Sequence, residues 1–203
     1  MQMNRTDQSG IGLRVVIGVA VLFSALVPAY TQATAGKGRR TYHNKRWDYC
    51  VEYPTTWGIS ESYTRNGAYV YPRRKERPHI GPTISFGGEV AQSDETDPSR
   101  HETLEARFLG GVEEMKHSRQ FKDVEILEKH STEFLGYPAL VSTIRFSYTT
   151  SQVTWVGKDL VLQRPDGFNF FVSVQTPTEE VATMTPVFED VVRSFRFGCR
   201  AAK

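Results

Sequence analysis

The chain has 203 residues, 39% of them hydrophobic and 24% charged, with a formal net charge of +2. That is enough apolar material for one globular domain with a core, and too balanced a composition for intrinsic disorder. Near-neutrality gives no general attraction to nucleic acid, so a nucleic-acid partner is not expected.

The N-terminal segment sets the expected compartment. Arg5 and Arg14 are basic, Val15 to Ala29 is an apolar run, and small residues follow. Val27-Pro28-Ala29 and Ala33-Thr34-Ala35 are alternative cleavage sites. The three-part pattern predicts a signal peptide over residues 1–35 and an exported protein, periplasmic or secreted. The apolar run is shorter than the ~20 residues of a spanning helix, although an uncleaved anchor is the alternative. No cysteine follows the run to carry a lipid, and no second apolar run is present.

Residues 36–46 are polar, basic and without periodicity, which predicts a flexible leader before a single domain over 47–203. Trp47, Tyr49, Val51 and Tyr53 alternate with polar residues, predicting a half-buried strand that stops at Pro54. Trp57 and Ile59 predict a short strand. Asn66-Gly67 predicts a tight turn leading into a strand over Ala68–Tyr71. Residues 72–82 hold three prolines and the basic run Arg73, Arg74, Lys75 and Arg77, which predicts a loop and a candidate basic patch for an anionic partner. Thr83–Phe86 predicts a strand that ends at Gly87-Gly88.

A helix is expected next, opening at Pro98 or at Ser99, with Glu102 in capping-box spacing. Its apolar stripe is Leu104, Phe108, Val112 and Met115, which should face a sheet. Gly110-Gly111 lies within it, and close packing on the sheet would explain the pair. Strands are expected around Val124–Leu127, Ala139–Tyr148 and Gln152–Gln163. Arg164-Pro165-Asp166-Gly167 predicts a turn into a strand from Phe168 to Gln175. A last helix is expected from Thr185 and Pro186, with Val187, Phe188, Val191, Val192 and Phe195 inward and Gly198 as its C-cap. Strands, helix, strands, helix is an α+β order with an antiparallel sheet.

Few motifs carry chemistry. His101, Glu102 and Glu105 resemble a zinc-protease helix that lacks its second histidine. They are weak candidates for a metal site, with a metal-dependent hydrolase as the corresponding alternative function. No nucleophile elbow, phosphate-binding loop or dinucleotide fingerprint occurs, so neither a catalytic residue nor a cofactor is assigned. The two cysteines, Cys50 and Cys199, are expected to pair in an oxidising compartment, with free or intermolecular thiols as the alternative.

Three segments carry a family resemblance. Val51-Glu52-Tyr53-Pro54-Thr55-Thr56-Trp57 resembles the opening strand and turn of PsbP-like domains. Gly136-Tyr137-Pro138-Ala139 is similar to the turn that starts their central strands, and Phe188 to Phe195 is similar to their terminal helix. Spanning Trp47 to Phe197, the chain resembles an exported bacterial-type member of the Mog1p/PsbP-like family. The resemblance implies an α/β/α sandwich with a central antiparallel sheet of about six strands flanked by helices. It also implies a non-catalytic accessory or binding module, meeting a protein or membrane-associated partner outside the cytoplasm. A photosystem II extrinsic subunit that helps to retain calcium and chloride is the family's specific alternative.

Overall fold

The computed structural model describes residues 38–62, 66–73, 81–90 and 103–199. Ten strands form two sheets. The smaller has the order β1 (Arg39–Asn44), β2 (Tyr49–Pro54), β10 (Arg196–Phe197). The larger has seven strands in the order β3 (Trp57–Glu61), β4 (Gly67–Pro72), β5 (Thr83–Val90), β9 (Phe168–Pro177), β8 (Thr154–Gln163), β7 (Tyr137–Tyr148), β6 (Phe121–Phe134). Every pairing is antiparallel. The helices are α1 (Leu104–His117) and α2 (Val181–Ser194), the latter entered through a 3-10 turn over Thr178–Glu180.

Strand alternation sorts two apolar clusters onto opposite faces of the large sheet. On one face Ile144, Phe146 and Trp155 pack with Val112, Phe108 and Met115 of α1. On the other, Leu160, Leu162, Phe170 and Val172 pack with Met184, Phe188 and Val191 of α2 and with Tyr49 and Val51 of β2. The meander β7-β8-β9 is the expected one, and the α1 stripe faces the sheet as its periodicity requires. Leu135 and Gly136 both take positive φ, as a two-residue hairpin between β6 and β7 demands.

Several expectations are corrected. The leader over 36–46 contains a strand: β1 pairs with β2 over its whole length, and the Arg39 side chain bonds Asp190 of α2. A basic edge strand with few apolar residues has no period to reveal it. β2 is buried at five consecutive positions rather than alternately, because it is the central strand of the small sheet and is covered on both faces. β5 continues through Gly87-Gly88. A Cβ there would come within 3.0 Å of the Phe171 ring at Gly87 and 2.8 Å of the Phe170 ring at Gly88, so these glycines serve packing rather than termination.

The first helix starts at Leu104, capped by the Thr103 hydroxyl, which accepts from the Ala106 N–H at 3.1 Å. Ser99 and Glu102 lie outside the described residues. The second helix begins four residues before Thr185, and Pro186 lies inside it. The Thr185 hydroxyl donates to the Val181 carbonyl at 2.9 Å. Gly198 follows β10 rather than capping the helix; its φ is +70° and its N–H donates to the Asp48 carbonyl. The described residues form ten strands in two sheets, where a central sheet of about six was expected; β1 and the two-residue β10, which build the small sheet on β2, carry no sequence period of their own.

Gly110 and Gly111 are not at a close approach. Both are exposed, and a Cβ at either would meet nothing within 4 Å. Gly110→Ala and Gly111→Ala are therefore expected to stabilise the protein by about 1 kcal/mol each, through helix propensity alone. Thermal melts read this directly; a fall in melting temperature in either variant would contradict it.

Cys50 and Cys199 form a disulfide, with Cα atoms 6.0 Å apart. It ties β2 to the segment just beyond β10.

Candidate functional site

Directly paired residues of antiparallel strands place their side chains on the same face. Starting at the β6 edge, Lys129 pairs with Ser142, Ser142 with Asp159 and Asp159 with Ser173. Ser173 pairs with Ser85, Ser85 with Tyr69 and Tyr69 with Ser60. One row thus crosses all seven strands, and every member is polar. It lies on the face that carries α1, beside the apolar cluster under that helix. The opposite face at the same level is packed core.

The row has an aromatic border. Phe171 sits against Gly87, and the Tyr71 ring lies over Gly58, where a Cβ would come within 2.7 Å of it. Tyr69 is 42% exposed although it belongs to an interior strand of the sheet. Its ring centroid is 6.0 Å from that of Tyr71. Asn169 lies two residues from Phe171 on the same face of β9. It is buried, and its side-chain oxygen has no hydrogen-bond partner. Leaving a buried acceptor unpaired costs free energy of about 1–3 kcal/mol.

Asp159 is the one carboxyl in the row. Burial pushes its pKa up, and a hydrogen bond from the Ser173 hydroxyl partly opposes that shift. A raised folded-state pKa favours folding below the ordinary Asp range. That contribution is lost as pH rises from about 4 through the folded value. Asp159→Asn keeps the size and an acceptor for Ser173 but removes the charge. It should raise the melting temperature at pH 7.5 and leave it nearly unchanged at pH 3.5, a comparison that paired melts settle.

The residues singled out from sequence fall elsewhere. Glu105 is on α1 and its carboxylate is held by Lys129, the end member of the polar row. His101 and Glu102 lie outside the described residues, as do Arg74, Lys75 and Arg77. Arg73 is exposed. Of the neighbouring basic residues, Arg39 bonds Asp190, and Arg46 lies over the Trp47 ring while donating to Asn66. Among the described residues no group of three or more His, Cys, Asp or Glu side chains is placed to hold a metal ion. Among them, too, no helix is long and apolar enough to cross a membrane.

A concavity of about 600 Å³ opens on the α2 side at one end of the sheet, with Asp123, Arg145, Gln152, Thr154 and Glu179 in its wall. Arg145 there is bonded to Glu125 of the adjacent strand.

No protein-family model matches the chain, and no curated protein matches it. Solved structures do match. Cyanobacterial PsbP (CyanoP) from Synechocystis sp. PCC 6803 superposes with a TM-score of 0.54 at 14% identity, over 85% of this chain and 99% of that one. The Ran-binding protein Mog1p of Saccharomyces cerevisiae gives 0.52 at 12% identity, over 78% of this chain and 95% of that one. The chain has the Mog1p/PsbP-like fold. LpqN of Mycobacterium tuberculosis, described as involved in cell envelope biogenesis, gives 0.51 at 15% identity over 83% and 97%. At such identities the likeness concerns the fold alone. Shared folds host unrelated functions, so a role for this Mog1p/PsbP-like chain has to be argued from its own surface.

No sequence motif marks this surface. Its local trace was Lys158-Asp159 inside an otherwise apolar strand, and Ser142, Ser173 and Ser85 at strand positions. Only the register brings those hydroxyls into line.

Proposed function

We propose that this protein is an exported, non-catalytic binding module, an α/β/α sandwich of the Mog1p/PsbP-like type that meets its partner outside the cytoplasm. The polar row and its aromatic border form the contact surface. The observation that supports this most is the row itself. A sheet face that served only packing would be apolar, since burying polar groups without partners costs free energy. Here polar groups occupy the same level on all seven strands. Within the row Tyr69 keeps an exposed ring, and four residues along β9 from Ser173 the buried Asn169 has an unpaired acceptor. Export is supported by the three-part N-terminal pattern and by the disulfide, which persists in oxidising compartments.

The test is hydrogen-exchange mass spectrometry of the purified protein with and without the exported fraction of its source cells. Protection of β4, β5 and β9 that is lost in Tyr69→Ala is the expected result. Protection confined to other segments would overturn the assignment of the surface.

A further inference from the structure

We infer that the polar row receives a neutral oligosaccharide lying across the strands, an inference that rests on reading this face as the binding surface. The first argument is charge. Lys129 is answered by Glu105 of α1. Asp159 is buried, which raises its pKa, and it accepts a hydrogen bond from the Ser173 hydroxyl, which partly opposes that rise. The rest of the row is serine and tyrosine, so each charged side chain in the row has a partner within the protein and the remainder is uncharged, which suits an uncharged ligand.

The second argument is hydrogen-bonding chemistry. Each serine hydroxyl both donates and accepts, and does so on a short side chain with little freedom to lose. Ser60, Ser85 and Ser173 therefore match sugar hydroxyls, which also do both.

The third argument is shape and spacing. Neighbouring strands lie about 4.8 Å apart, so the row presents a polar group at intervals close to the length of one hexose unit in an extended chain. From Ser60 on β3 to Ser173 on β9 the row spans about 14 Å on that spacing, room for roughly three units. Tyr69 within this stretch, and Tyr71 and Phe171 beside it, are rigid rings, the latter two seated against glycines, and offer apolar faces to the C–H side of a pyranose. An extended peptide is the weaker fit. It adds to a sheet through a free strand edge, whereas β4, β5 and β9 are interior strands with both edges paired.

The experiment is an amide-resolved NMR titration of the protein, disulfide intact, with maltohexaose, cellohexaose and chitohexaose, and with a hexamer of galacturonic acid as the charged control. At least one neutral hexasaccharide should shift the amides of β4, β5 and β9 together, with the charged control causing little change. Tyr69→Ala, an exposed position whose variant should keep the dispersed spectrum, is expected to weaken binding at least tenfold, and Ser85→Val likewise. The inference is overturned if all three neutral sugars leave these amides unmoved at millimolar concentration, or if Tyr69→Ala binds as the parent does. If the sugars fail while a partner from the exported fraction still protects this face, the saccharide assignment falls and the binding surface stands. If nothing protects it, both fall.

Discussion

Breaking the Cys50–Cys199 bond is expected to lower the melting temperature by on the order of 10 °C, the conversion of a loss of about 3–5 kcal/mol for a domain of this size. The two cysteines are 149 residues apart in sequence, so the bond closes nearly the whole folded chain into a loop. On the chain-entropy account, a loop of that length restrains the unfolded ensemble by up to about 5 kcal/mol. The folded state gives a second reason. β10 holds to β2 through only two residue pairs, Arg196 with Cys50 and Phe197 with Tyr49. Beyond that pairing, the C-terminal segment is held by the Phe197 ring against Phe170 and Phe195, by Arg196 bonded to Glu52 and by the Gly198 N–H bond to Asp48, and the disulfide adds a covalent tie to these contacts. Melts of native, reduced and Cys50→Ser/Cys199→Ser protein measure the effect, and mass spectrometry of non-reduced material should recover the two cysteine peptides crosslinked. A reduced protein that melts within a degree or two of the native one would show that the loop constraint contributes little.

Phe195→Ala should cost about 3–5 kcal/mol, comparable with much of the stability of an ordinary domain. Phe195 caps the end of α2 and is 1% exposed. Its ring stacks on Tyr49 at 5.2 Å and meets Phe197 at 5.3 Å and Phe170 at 6.0 Å. Those partners come from β2, β10 and β9, so one side chain joins the small sheet, the large sheet and the last helix. Truncation would leave a cavity bounded by three elements that cannot close independently. Tyr49 would also lose its stacking partner. It is fully buried, its phenol pushed well above its ordinary pKa by desolvation, and it donates to the Asn66 carbonyl at 3.1 Å. Phe195→Leu, which keeps most of the volume, should cost less than about 1.5 kcal/mol. Denaturant unfolding of both variants separates these outcomes. Equal losses for Leu and Ala would mean that ring stacking, rather than volume, holds this junction.

Elements with one buried face are legible from their own residues. β7, β8 and β9 show period-two alternation with aromatic and β-branched residues, and α1 shows its stripe, because each element has one face buried and its pattern is set by its own residues. What failed was decided by neighbours. β1 has no hydrophobic period, and its ladder exists because β2 lies beside it. Gly87-Gly88 looks like a strand end until Phe171 and Phe170 are seen to need the space. Pro186 looks like a helix start, yet the turns preceding it are paid for by burying Met184. The candidate site was the least legible part. Ser60, Tyr69, Ser85, Asp159 and Ser173 are spread over more than half the chain, and none has a motif around it.

The amino-acid sequence by itself determined the α+β class and the Mog1p/PsbP-like resemblance, because period and turn chemistry are properties of the chain taken residue by residue; it raised the pairing of the two cysteines as an expectation, which the structure decided. Register was decided only in the tertiary structure. A shift of one residue between any two strands would send Asp159 or Ser85 to the opposite face and dissolve the polar row. That alignment is held by the two apolar clusters, one under each helix, and not by the polar residues that it brings together.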